Sequence, residues 1–205
     1  MKFVLKLALL LFILAGCKKE KDSSDTLDNA KLLEKFDASF VKEWYYGVFK
    51  KSNEWKSSGG KQLPYWPKGI YKKVGDLEIV EFPLMKKSKD ISIPAEGLED
   101  YNKIRIAEAA LQRIAFIRDK KGNIYVREID YIPEWSYLQQ NKLDISNPEN
   151  MDVKANFRGR KIVKDWGNKT LVLLRIHNGK VTGRGIQNSN TLSRTETCST
   201  IRYCI

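Results

Sequence analysis

Histidine occurs once in this 205-residue chain and cysteine three times. A Cys/His zinc cluster needs four such ligands at set spacings, so that class is excluded. No stretch approaches the ~20 apolar residues of a membrane-spanning helix. The longest unbroken apolar run, Leu7 to Ala15, has nine. Neither a G-x-x-x-x-G-K-[ST] phosphate loop nor a Gly-x-Ser-x-Gly nucleophile turn occurs. Gly183-Arg184-Gly185 lies in a strand-like stretch with no helix after it, so it is no dinucleotide signal. No cofactor is expected. Acidic residues are outnumbered 25 to 37, for a net charge of +12. With 42% apolar and 11% aromatic residues, the chain has enough to bury to build a core.

The apolar run follows the basic start Met1-Lys2 and ends in Leu14-Ala15-Gly16-Cys17. Its length suits the ~7–15-residue core of a secretory signal and is too short to span a bilayer. The segment resembles a bacterial lipoprotein signal with a Leu-Ala-Gly-Cys lipobox. That resemblance implies removal of residues 1–16, a diacylglyceryl thioether on Cys17 and acylation (palmitate or similar) of the new amine. At about 0.8 kcal/mol per buried methylene, two or three chains anchor a protein durably. Lys18 to Thr26 is polar and reads as a flexible tether. Lys18 after the lipidated cysteine implies sorting to the outer membrane, on its periplasmic or surface face. Loss of Lys2 and Lys6 leaves 35 basic against 25 acidic residues, a net +10. At an envelope that charge faces anionic lipid and polymers, and no nucleic acid is expected as a partner.

Residues 27–205 read as a single α+β domain. From Leu27 to about Phe49, apolar residues recur at three- and four-residue steps, which predicts one long amphipathic helix capped by Asp25 or Asp28. Residues 51–76 read as loop, Leu77–Leu84 as a strand and Lys86–Gly97 as loop. The stretch 105–119 suits helix or strand. The turn Asp119-Lys120-Lys121-Gly122-Asn123 favours a hairpin of about 110–118 with 124–132. Pro133 ends that second strand, with a short helix over Glu134–Gln140. A meander follows: strand 157–165, turn at Trp166-Gly167-Asn168, strand 169–177, turn at Asn178-Gly179 and strand 180–186. The expected fold is a long N-terminal helix packed on a mostly antiparallel sheet of about six strands.

Candidate sites are few. His177 could serve as a base with Asp165 on the neighbouring predicted strand. Glu128 and Asp130 share a strand face, and Glu99-Asp100 is a second acidic pair. Trp55, Tyr65 and Trp66 either cover the sheet or form an exposed aromatic platform for a sugar or peptide. Cys198 and Cys204 are the expected disulfide of an oxidising envelope, provided Ser199 to Tyr203 reverse direction. Alternatively each pairs with a thiol outside this sequence, which fits a chain truncated at its C-terminus.

The order of elements also resembles that of Bacteroidota cell-envelope lipoproteins, a family pattern that supplies no catalytic residues to carry over. The expectation is a membrane-anchored extracytoplasmic binding protein, held to lipid through Cys17, with an anionic envelope polymer or a protein as partner. A hydrolase and an inhibitor or immunity-type factor are the alternatives.

Overall fold

A computed structural model describes residues 34–57, 63–85, 88–94, 97–147, 149, 151–186 and 198–204. The signal, the tether and the first part of the expected long helix lie outside the described residues. Contacts place residues 35–205 in one compact unit. Helix α1 spans Ala38–Gly47, a 3-10 turn Phe49–Lys51, and α2 Asn53–Ser57. Strand β1 is Leu63–Pro64, followed by a 3-10 turn at Trp66–Lys68 and by β2 at Ile70–Val74. Strands β3 (Leu77–Met85) and β4 (Ser88–Pro94) precede helix α3 (Asp100–Ala109). Strands β5 (Leu111–Arg118) and β6 (Ile124–Pro133) lead to helix α4 (Trp135–Gln140). Strands β7 (Gly159–Lys164), β8 (Thr170–His177), β9 (Lys180–Ile186) and β10 (Cys198–Cys204) complete the described elements.

Eight strands form one sheet in the order β1-β3-β5-β6-β7-β8-β9, with β2 also paired to β3. Every pairing is antiparallel. The architecture is α+β dominated by the sheet. Strand β10 pairs with β4 in a separate two-stranded sheet.

The expected long helix is replaced, over the described part, by the ten residues of α1. Asp37 sets its start, because its Oδ1 accepts hydrogen bonds from the Ser39 and Phe40 amides at 3.0 and 3.1 Å. Phe36 continues the apolar period from outside the helix. It is buried beside the cap and packs on Phe40 with ring centroids 5.6 Å apart. A residue in that position staples the chain to the first helical turn, and from sequence it is indistinguishable from another turn of helix.

The expected hairpins form where turn chemistry dictates. Asp119 caps the β5–β6 turn by accepting from the Lys121 and Asn123 amides, and Gly122 takes φ +84°. Asn178 and Gly179 both take positive φ, as a two-residue hairpin turn requires. Gly179 is also fixed by packing: a Cβ there would lie 2.1 Å from the Ala155 carbonyl oxygen. The ambiguous stretch 105–119 contains both structures, since α3 ends at Ala109 and β5 begins at Leu111.

Two expectations are corrected. The loop over 86–97 contains β4, whose Ile91 and Ile93 are wholly buried. Cys198 and Cys204 stand at opposite ends of β10, paired with Pro94 and Ser88. Six steps of strand separate their Cα atoms by roughly 20 Å, against the ~6.8 Å limit for a disulfide. The reversal that an internal bridge needs does not occur.

The sheet's two faces are built differently. On one face Val80, Phe82, Ile114, Phe116 and Val126 lie beneath an aromatic cluster from residues 36–66. Tyr45 is its hub, with the rings of Phe49, Trp55, Trp66 and Phe116 within 5.2–6.1 Å. On the other face the register sets Tyr131, Lys161 and Leu174 side by side across β6, β7 and β8. The connection between α4 and β7 covers part of that face through Met151, Asp152 and Phe157.

Candidate functional site

Two of the three aromatic residues singled out from sequence, Trp55 and Trp66, belong to the aromatic cluster. Trp55 is only 7% exposed and stacks on Trp166. Trp66 is half-buried between Phe82 and Tyr45, and its Nε1 donates to the Tyr46 hydroxyl at 3.3 Å. Tyr65 alone reaches the surface, at 37% exposure. An exposed platform built from all three is therefore overturned: rings of this size are the material with which α1 and the following turns seal the sheet.

His177 and Asp165 are also separated. His177 pairs with Lys180 at one end of β8, whereas Asp165 follows β7 and accepts from the Lys169 amide at the other end. About seven strand steps, roughly 23 Å, lie between them, so they cannot act as a dyad. His177 is exposed and borders a polar hollow with Tyr137, Asn141, Asn156 and Arg158. Asp100 pairs with Lys103 at 2.9 Å, and Glu99 occupies the N-cap of α3 without a capping side-chain bond.

Glu128 and Asp130 do share one face, and both are buried. Lys164, reaching from β7, sits 2.5 Å from Asp130 Oδ2 and 4.0 Å from Glu128 Oε1. The Gln112 amide donates to Asp130 at 2.7 Å and to Glu128 at 3.4 Å. These carboxylates are thus tied into a buried polar network beside the aromatic cluster.

A larger charge cluster lies on the opposite face, and sequence reading missed it. Arg113 is 0% exposed. Its Nε lies 3.3 Å from Glu81 Oε2, Nη1 donates to the Met151 carbonyl at 2.6 Å, and Nη2 donates to the Glu81 carbonyl at 3.2 Å. Lys72 bridges Glu81 and Asp152 at 3.1 and 3.0 Å. Burial pushes the Tyr131 phenol well above 10.0, with the Glu81 and Asp152 charges adding to the rise.

Lys161 completes the cluster, and it is the least compensated member. Its Nζ lies 4.0 Å from Glu81 Oε1, at the outer limit of an ion pair, and 5.2 Å above the Tyr131 ring. Burial lowers its ammonium below the ordinary lysine value of 10.5. Glu81 and Asp152 act against that fall, while Lys72 and Arg113 add to it. Three cations therefore meet two carboxylates. The third cation faces an open trough of about 300 Å³ lined by Tyr131, Lys154, Phe157, Leu174, Ile176 and Val181, the low end of the ~300–1,000 Å³ typical of small-molecule sites. Gly179, pressed against Ala155, also lines the trough.

A second hollow, of about 440 Å³, lies between β8 and β9 and is lined by Arg175, Thr182 and Arg184. One of about 140 Å³ between α3 and β6 is almost wholly apolar, lined by Ile93, Leu98, Ile106, Ile132 and Trp135 with Arg160 at its margin. Among the described residues no group of three or more His, Cys, Asp or Glu side chains could hold a metal ion. No described helix is long and apolar enough to cross a membrane. Set against protein-family models, curated proteins and solved structures, the chain matches none.

Proposed function

We propose that this chain is a lipid-anchored binding protein of the bacterial cell envelope, tethered through acylated Cys17, with the Lys161 trough as its ligand site. The anchor rests on Leu14-Ala15-Gly16-Cys17 directly following a nine-residue apolar run and a basic start. Outer-membrane placement follows from Lys18 at the second position of the cleaved chain.

The observation that carries the binding reading is the pairing, in one trough, of an incompletely compensated cation with an aliphatic wall of Leu174, Ile176 and Val181. By contrast, Glu128 and Asp130 are engaged by Lys164 and Gln112, and His177 stands far from Asp165. Those groups were the ones a hydrolase reading would use. The anchor holds a chain of net charge +10 at the bilayer, which favours an anionic envelope polymer or an acidic protein as partner.

Mass spectrometry of the membrane fraction tests the anchor. The expected species begins at Cys17 and carries a diacylglyceryl group with a further acyl chain on its amine. A Cys17→Ala chain should leave the membrane fraction. Recovery of an unmodified Cys17, or of Cys17→Ala still bound to membrane, would reject the anchored reading.

A further inference from the structure

The Lys161 trough has a polarity that specifies its ligand. At one end lies the ammonium, with Tyr131 beneath it and no full-strength partner, since Glu81 Oε1 is 4.0 Å away and that carboxylate also serves Arg113 and Lys72. From there Leu174 and Ile176 run along β8 toward Val181 on β9, which is 59% exposed at the open side. Residues 166–186, which contribute this wall, contain Lys169, Arg175, Lys180 and Arg184 and not one Asp or Glu. A negatively charged group entering here meets no carboxylate from the outer strands. It meets Glu81 and Asp152 only behind Lys72, Arg113 and Lys161.

We infer that the trough binds an anionic amphiphile, a monocarboxylate bearing a short aliphatic chain, with its head on Lys161 and its tail along Leu174, Ile176 and Val181. This rests on the trough being the binding site and adds the chemical class of its ligand. The charge count favours a single negative charge, because Lys154, which also lines the trough, is engaged at its Nζ by the Asp144 carbonyl at 2.8 Å. Two carboxylates against three cations leave one to be neutralised, and a dianion would press against Glu81 and Asp152. The tail needs no polar partner, because burial of aliphatic surface is favourable without directional bonds. A neutral alcohol of equal length makes the same apolar contacts but leaves the ammonium as it was. An amphiphilic cation meets repulsion from Lys161.

Equilibrium dialysis of radiolabelled octanoate against the full chain in phosphatidylcholine vesicles tests this, with protein-free vesicles as the blank and octan-1-ol as the neutral probe. The native chain should bind octanoate at least tenfold more tightly than octanol. Lys161→Gln should remove that preference and Lys161→Arg should keep it. Because a change at Lys161 also touches the buried cluster, Val181→Glu and Val181→Lys on the exposed wall provide a second measure. The glutamate should weaken octanoate binding tenfold or more, and the lysine should preserve it. Equal binding of octanoate and octanol, or octanoate binding indifferent to Val181→Glu, overturns the anion preference and leaves the trough as an apolar site. Binding of neither probe overturns both the ligand class and the trough reading.

Discussion

Trp55 lies stacked on Trp166, their ring centroids 5.7 Å apart and their planes 20° from parallel. One ring comes from α2, the other from the β7–β8 turn, so this contact locks the N-terminal aromatic layer to a hairpin over a hundred positions later in the sequence. Trp166 also meets Phe49 edge-on at 5.4 Å. Replacing Trp166 by Ala should cost about 3–5 kcal/mol, the usual range for deleting a buried large aromatic. Urea unfolding would show it as a lowered midpoint. A loss below about 1 kcal/mol would mean that the aromatic layer is not fixed through this turn.

The buried pair of Glu81 and Arg113 gives an asymmetric prediction. Glu81→Leu strands a wholly buried guanidinium and should cost about 3–5 kcal/mol, as breaking one side of a buried ion pair does. The double change Glu81→Leu with Arg113→Met removes both charges and should cost less than Glu81→Leu alone. A double-mutant cycle by chemical denaturation measures the difference. Strictly additive losses would show that the two charges do not depend on each other.

Lys161 supplies a pH dependence. Its folded ammonium loses its proton below 10.5, chiefly through burial, with Lys72 and Arg113 adding to the fall and Glu81 and Asp152 opposing it. Just below 10.5 the unfolded chain therefore holds more protons, and stability from this group rises with pH. Tyr131 acts oppositely above 10.0, where the unfolded phenol ionises first and stability falls. Octanoate binding should decline within the interval where Lys161 deprotonates, before an ordinary lysine would. In Lys161→Arg the decline should move to higher pH. A native profile that stays flat to pH 10.5 would contradict it.

Gly179 should not tolerate a side chain. Its φ is +72°, and a Cβ would lie 2.1 Å from a backbone oxygen that cannot retreat like a flexible side chain. Gly179→Ala should therefore destabilise by more than about 1 kcal/mol. Asn178→Gly, at φ +50°, should be tolerated. Thermal melts of the two variants make the comparison. Equal melting temperatures would show that the turn can relax away from Ala155.

The sheet was largely legible because its turns announce themselves. Asp119 to Asn123, Trp166 to Asn168 and Asn178-Gly179 each demand a reversal, and strands β5 to β9 follow within a residue or two of expectation. What escaped depends on partners distant in sequence. Strand β4 carries two inward apolar residues among charged ones and becomes a strand through β10. Trp166 reads as turn filler until Trp55 arrives. The trough was least visible of all, since Tyr131, Phe157, Lys161, Leu174 and Val181 meet only through strand register and a long connection. The signal available was a basic residue at an inward position of β7, level with Tyr131 and Leu174.

The pairing of β4 with β10 has a kinetic consequence. The β5–β6, β7–β8 and β8–β9 hairpins close short loops and can form as soon as their own residues are present. Strand β4 must instead wait for a strand roughly a hundred residues downstream, a closure that is costly in chain entropy and slow. The backbone of β4 is therefore among the last to be paired, although Ile91 and Ile93 find core neighbours nearer in sequence. A nascent chain that has not yet delivered residue 198 can close its eight-stranded sheet while β4 still lacks a strand partner, so the main sheet and the small one mature at different times.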